Sequence, residues 1–383
     1  MKALVIGGTG PTGPFILDGL LKRGYEVTIL HRGTHEIDLP PEIEHLHGDP
    51  HFVETLNQAL GSRTYDLVIA MYGRLRHVAE VMRGRTERLI CAGGVGVYKA
   101  MLDPDESMNN DSHLIPENAP LICNPKMDGS EKDAMYRFTD LMVQSELAVM
   151  ESHYLGFYSA TIFRFPMIYG PRQLVPGEWS VIRRILDGRK KLILPDGGLA
   201  IESRGYAENM AHGVLLSVDH PKESAGQAYN IADEDALSPR DWIKIVSDFM
   251  NHTFEFVYMP AKLSTPAIPY GMPIRPFALK TGELHHRILD LKKIKTQLGY
   301  RDLFKAREGL EKTVQYYLDN PPERGGEIEQ RLNDPFNYET ENKLINEYEK
   351  ALERLSSIFP VKIWRHPYPH PEKPDAKRDQ RGR

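Results

Sequence analysis

Three glycines, Gly7, Gly10 and Gly13, recur at three-residue spacing in the segment GGTGPTG (7–13). The apolar run KALVIGG (2–8) leads into it. PFILDGLLKRG (14–24), with Phe15, Ile16, Leu17, Leu20 and Leu21 at helical spacing, leads out and stops at Gly24. Strand, glycine turn and helix form the context in which such a triplet binds a dinucleotide. Gly7 permits the tight turn, Gly10 lets backbone approach a pyrophosphate, and Gly13 lets helix and strand pack closely. The helix N-terminus adds unpaired N–H groups and the positive end of its dipole. Thr9, Pro11 and Thr12 complete this loop and count with the glycines as cofactor-binding residues.

The second strand, YEVTIL (25–30), runs into His31 and Arg32. No Asp or Glu stands at 30–33, where an acidic side chain would bind the ribose 2′-hydroxyl of NAD. Arg32 can pair with a 2′-phosphate or stack on adenine. The expected cofactor is therefore NADP rather than NAD. Asp49, after the third strand, can contact adenine, cap the helix HFVETLNQAL, or do both. Met71, at the end of the fourth strand, is a further cofactor-site candidate.

These residues need a scaffold that brings strand ends together. Strand-like runs at 25–30, 43–49, 65–71, 87–94 and 159–165 alternate with helical patterns, the longest being EKDAMYRFTDLMVQSELAVMES (131–152). Such alternation implies βαβ units and an α/β fold, a doubly wound parallel sheet with its ligand at the carboxyl ends of the strands. The expected division is a Rossmann domain at 1–171, rejoined by 205–232, and a smaller substrate lobe at 172–204 and 233–325. A helical extension at 326–372, with Leu344, Ile345, Tyr348, Leu352 and Leu355 on one stripe, and a disordered tail at 373–383 follow. Residues 260–286, with little periodicity, are expected to form a loop over the cleft.

Composition narrows the function classes. The 383 residues carry 48 basic and 53 acidic side chains, a net charge of −5. No global positive field is present to hold a phosphate backbone, so nucleic acid is not an expected partner. Two cysteines, Cys91 and Cys123, make neither a disulfide framework nor a metal site. No apolar stretch reaches membrane-spanning length. The expectation is a cytoplasmic protein without a bound metal, acting on a small molecule.

Several segments together resemble the extended short-chain dehydrogenase/reductases, the NAD-dependent epimerase/dehydratase family. They are GGTGPTG at 7, GD at 48–49, RFPMIYGPR at 164–172, RGYAENMAHG at 204–213, AYNIAD at 228–233 and LGYRDLFKAREGLEKTVQYYLDN at 298–320. The resemblance spans about 1–320. It implies a Rossmann domain, a C-terminal substrate lobe and a nicotinamide cofactor against Phe165, Pro166 and Met167. It also implies that Arg164, Arg172 and Arg204 stand where basic residues face an anionic substrate; structural ion pairing is an equal alternative. Dimerisation through helices near 75–83 and 131–152 is implied as well.

The family's catalytic set is a Ser or Thr after the fifth strand, then a Tyr and a Lys four residues later. The Lys lowers the Tyr pKa, because a tyrosine near ~10 is a poor base at neutral pH. Here the hydroxyl position falls on Gly94, in CAGGVGVY, and Tyr136 is followed four residues later by Asp140. A neighbouring carboxylate raises a tyrosine's pKa. Tyr136 remains the catalytic candidate, with Gly94, Tyr98, Arg172 and Arg204 as substrate-binding candidates. Lys126, Lys132 and His212 are possible substitutes, each more simply read as structural. The expected function is an NAD(P)-dependent enzyme with a non-standard acid/base set. The alternative is a dinucleotide-binding sensor or scaffold without turnover.

Overall fold

The computed structural model describes residues 1–34, 37–71, 73–102, 113–123, 133–264, 285–332, 334, 336–358 and 373–374. Strands β1 (Lys2–Ile6), β2 (Glu26–His31), β3 (Glu44–His47), β4 (Leu67–Ala70) and β5 (Arg88–Gly94) alternate with helices α1 (Gly13–Lys22), α2 (Val53–Leu60) and α3 (Leu75–Val81). After a short helix α4 (Lys99–Leu102) and strand β6 (Leu114–Ile115) come α5 (Asp133–Tyr154) and β7 (Ser159–Phe165). Then follow β8 (Met167–Tyr169), α6 (Gly177–Leu186), β9 (Lys191–Pro195), β10 (Arg204–Tyr206), α7 (Ala207–Asp219) and β11 (Gln227–Asn230).

Seven strands form one sheet in the order β11-β7-β5-β4-β1-β2-β3, every pairing parallel. Alternation along β1 shows why it has two covered faces. Ala3 and Val5 join a core with Ile16 and Leu20 of α1 and Met210 and Val214 of α7. Leu4 and Ile6 join another with Leu56 of α2, Val78 of α3 and Val149 of α5. Chain order reverses at β1, with β2 on one side and β4 on the other. That switch point opens a crevice at the strands' carboxyl ends.

Strand β11, at the end of the segment 205–232, pairs with β7 in the main sheet. Outside the sheet lie α8 (Pro239–Phe249), β12 (Glu255–Met259), α9 (Ala261–Ser264), β13 (Ile288–Leu289), α10 (Lys292–Gln297), α11 (Ala306–Asp319) and α12 (Glu327–Leu332). Helix α8 is capped at its start, with Ser238 Oγ accepting the Asp241 N–H at 3.2 Å. Three two-stranded parallel pairs, β10 with β8, β12 with β9 and β13 with β6, went unread. Their strands of two to five residues are too short to show a period.

The chain divides into compact units at 1–337 and 338–383 rather than at 326. Buried ion pairs tie residues 329 and 334 to α6, so the first turns of the expected extension belong to the main unit. The second unit holds one described helix, α13 (Tyr338–Ser356), on which Leu352 and Leu355 are exposed. Most of the expected loop at 260–286, and all of the tail but 373–374, lies outside the described residues.

Candidate cofactor and active site

A cavity of about 300 Å³ lies over the end of β1. Gly7, Thr9, Gly10, Pro11 and Thr12 form one wall and His31, Arg32, Gly33 and Thr34 another; Met71, Phe165, Ile168, Gln173 and Leu174 complete it. Each loop glycine answers a different demand. Gly7 has φ 84°, in the left-handed region, and its N–H reaches Leu30 O at 2.9 Å. A Cβ on Gly10 would meet nothing within 4 Å, so that backbone faces open space a ligand can enter. A Cβ on Gly13 would sit 1.9 Å from Gly8 O, so no larger residue fits where α1 crosses the loop. The chain thus builds a backbone cradle at a helix N-terminus, and it fits a pyrophosphate.

The structure brings together Gly7, Thr9, Gly10, Pro11, Thr12, Arg32, Met71 and Phe165. The cavity lining omits Gly13, Asp49, Pro166 and Met167. Pro166 is buried and Met167 opens β8. Asp49 makes neither a helix cap nor a cavity wall. Its Oδ1 accepts the His51 N–H at 3.0 Å, an Asx turn, and meets the His51 ring at 2.7 Å. Burial works against its charge, yet the His51 contacts, with Arg32 nearby, hold its carboxyl below the ordinary range.

Sequence reasoning missed His31, Gly33, Thr34, Ile168, Gln173 and Leu174. The last two come from the turn after β8, where Gln173 braces itself. Its Nε2 donates to Ile168 O at 2.7 Å, and its Oε1 accepts the Leu174 N–H at 2.8 Å. The signal was faint: Gln173 follows the YGPR segment already singled out.

The substrate candidates separate. Tyr98 is fully buried and does not face a cleft. Its hydroxyl donates to Asn230 Oδ1 and accepts from Arg164 Nη1, both at 2.7 Å. Burial pushes its pKa well up, which the Arg164 charge only partly offsets. Arg164 is paired with Glu146 at 2.7 Å, both side chains buried. Arg204 is also buried, 3.4 Å from Glu202 and over the Trp242 ring at 5.5 Å. For Tyr98, Arg164 and Arg204 the structural role replaces the substrate role. Arg172 is exposed, with φ 63°. His212 lies beside Tyr300, ring centroids 6.1 Å apart, and burial lowers its pKa. Lys126 and Lys132 lie outside the described residues.

Tyr136 and Asp140 lie in the first turns of α5, both half-buried. Two residues further along α5, Met142 packs on Gly94, where an added Cβ would come 2.7 Å from its Cε. The absent side chain at 94 is thus matched to a bulky neighbour, not left as a gap. A second cavity, about 520 Å³, opens beyond Met71 and is walled by Gly93, Met142, Leu141, Phe138, Arg74 and Arg76 among others.

A doubly wound sheet with a glycine cradle at its switch point defines a Rossmann-type dinucleotide-binding protein. Residues 3–232 match the model of the NAD dependent epimerase/dehydratase family, and the chain belongs to that family. Among curated relatives, the sterol-4-alpha-carboxylate 3-dehydrogenase, decarboxylating, of Mus musculus is 24% identical over 355 residues, 82% of this chain and 91% of the relative. The chloroplast stem-loop binding protein of 41 kDa b from Arabidopsis thaliana is 25% identical over 249 residues, 61% of this chain and 59% of the relative. Among solved structures, a UDP-glucose 4-epimerase from Thermotoga maritima with UDP-glucose superposes with TM-score 0.63 at 17% identity, covering 84% of this chain and 100% of that one.

Proposed function

We propose that this chain is a nicotinamide-dinucleotide-dependent enzyme that prefers NADP to NAD and acts on a small molecule without a Tyr–Lys couple. The observation that carries the reading is the cavity in which the glycine loop and the Arg32 turn face each other. The loop binds the pyrophosphate through backbone N–H groups. Arg32 pairs with the 2′-phosphate as a forked donor. Phe165 bounds the nicotinamide side. Bound there, the nicotinamide supplies or takes up a hydride. Tyr136 then has a narrower task than in the family's set. With Asp140 in place of the lysine it holds an oxyanion by hydrogen bond rather than acting as a strong base. Reduction of a conjugated double bond would need only this hydrogen bond and the cofactor's hydride, with a proton from solvent water delivered to the α-carbon of the enolate. Retention of cofactor binding with lost turnover in Tyr136→Phe supports this role; full activity in that variant removes Tyr136 from the mechanism.

The second reading, a dinucleotide-binding sensor or scaffold without turnover, is favoured by Gly94 and Asp140, which leave the family's hydroxyl and lysine positions unfilled. It requires tight binding with no oxidation or reduction of any offered carbonyl or enone. The relative named as a stem-loop binding protein raises nucleic acid as a partner; the net charge of −5 weighs against it. The remaining proposals are a cytoplasmic location and a homodimer through α3 and α5.

A further inference from the structure

The start of α3 and the middle of α5 frame the second cavity, of about 520 Å³, and Met71 lines both it and the cofactor cavity. The space is left by what β5 lacks. Gly93 sends no side chain toward α5, where an added Cβ would come 3.1 Å from Glu146 Oε1. Leu75, Phe138, Leu141 and Met142 stand around that space with Met71, so its walls are largely apolar. The volume falls within the range of small-molecule sites.

The polar groups of the lining divide into matched and unmatched. Glu146 faces Arg164, whose Nη2 donates to Oε2 at 2.7 Å and whose Nε donates to Oε1 at 3.1 Å, so its charge is neutralised from behind. Ser145 Oγ donates to Leu141 O at 2.8 Å. The His51 ring meets Asp49 Oδ1 at 2.7 Å. The two arginines of the lining are different. Arg76 is half-buried, and among the described residues its guanidinium has neither a carboxylate nor a hydrogen-bond partner. Arg74 is exposed; its Nη1 reaches the His51 carbonyl only at 3.4 Å, and its guanidinium lies 5.5 Å from the centre of the Phe52 ring. Both side chains keep their charge at any pH the protein survives. Two guanidiniums beside an apolar space call for an anion, and their planar forks match a carboxylate.

We propose that this cavity binds a small organic carboxylate, its apolar body between Phe138, Leu141 and Met142 and its charged end on Arg76, with Arg74 adding a second positive charge. Burial of the body against the walls supplies affinity, and the arginines supply selection for the charged form over a neutral compound of the same shape. Phe138 and Leu141 also belong to the α5 face on which a homodimer is proposed, so a second copy of the chain is the rival occupant. Apolar side chains from such a copy would match the walls but not the guanidiniums.

The test is fluorescence titration of the full chain at neutral pH with naphthalene-2-carboxylate and with naphthalene-2-carboxamide, its uncharged counterpart. Wild type is expected to bind the carboxylate about tenfold more tightly than the amide, the low end of what one hydrogen bond to a charged group contributes. Arg76→Gln is expected to weaken carboxylate binding about tenfold and to leave the amide unchanged. Phe138→Ala is expected to weaken both alike. Neither side chain is fully buried, so both variants are expected to fold. Equal affinity of wild type for the two compounds, no saturable binding of the carboxylate, or unchanged carboxylate affinity in Arg76→Gln overturns the inference. Carboxylate affinity that falls as protein concentration rises gives the cavity to a second copy and overturns it as well. The titration uses no dinucleotide, so its failure leaves the cofactor reading standing, and failure of that reading leaves this site standing.

Discussion

Glu178, near the start of α6, is almost wholly buried, and its Oε1 has no hydrogen-bond partner among the described residues. Burial pushes its pKa from 4.5 to about 7, against the smaller pull of its own backbone N–H and Arg204. A carboxyl with a raised folded-state pKa contributes stability that is fully present below its ordinary value. That contribution is lost as pH rises through about 7. The expected loss between pH 4.5 and 8 is about 3 kcal/mol. Glu178→Gln removes this dependence, so urea unfolding at pH 5 and pH 8 should show the variant gaining on wild type at the higher pH. A constant difference between the two would mean that Glu178 does not titrate in this range. The glycines of the loop were legible because their demand is local: a turn, an open backbone and a close crossing. Tyr98, Arg164 and Arg204 were not, because their partners Asn230, Glu146 and Glu202 are set by tertiary packing. Nothing in the local pattern around an arginine says whether a carboxylate or a cleft will face it.

At the scale of elements, the strands of the main sheet were readable because each is a continuous apolar run buried on both faces. The short strands outside it were not. The clasp that Glu329 and Asp334 make with α6 was equally hidden. Trp179 Nε1 donates to Glu329 Oε1 at 2.9 Å, and Arg184 Nη1 to Asp334 Oδ2 at 2.6 Å, the latter pair fully buried. Its polar composition reads as a helical extension, while Glu329 and Asp334 pair with buried partners on α6. Asp334→Ala would remove the carboxylate paired with the buried Arg184 guanidinium, an expected cost of about 3–5 kcal/mol. The double variant Arg184→Met with Asp334→Leu should recover most of it. Denaturant unfolding of the three proteins decides this, and a single variant within 0.5 kcal/mol of wild type, roughly surface-like behaviour, would mean the clasp carries no weight.

At the scale of the molecule, α5 turns Val143 and Val149 inward but leaves Phe138, Leu141 and Leu147 about half exposed, at 59%, 48% and 55%. A helix apolar on both sides suits burial on both sides, and the proposed homodimer covers the outer one. Sedimentation is expected to show a wild-type dimer and a Leu141→Glu monomer. A monomeric wild type removes the proposal. The same helix presents Tyr136 and Asp140, so the dimer would also brace the proposed oxyanion site.

The proposed function depends on the cavity over β1 holding a nicotinamide dinucleotide. The most direct test is titration of the apo protein with NADPH and with NADH, after any dinucleotide released by denaturation has been identified by mass. The account predicts saturable binding at one site per chain, tighter for NADPH. Tightly retained NAD would contradict the reading of Arg32, and no binding of either would contradict the cofactor assignment itself.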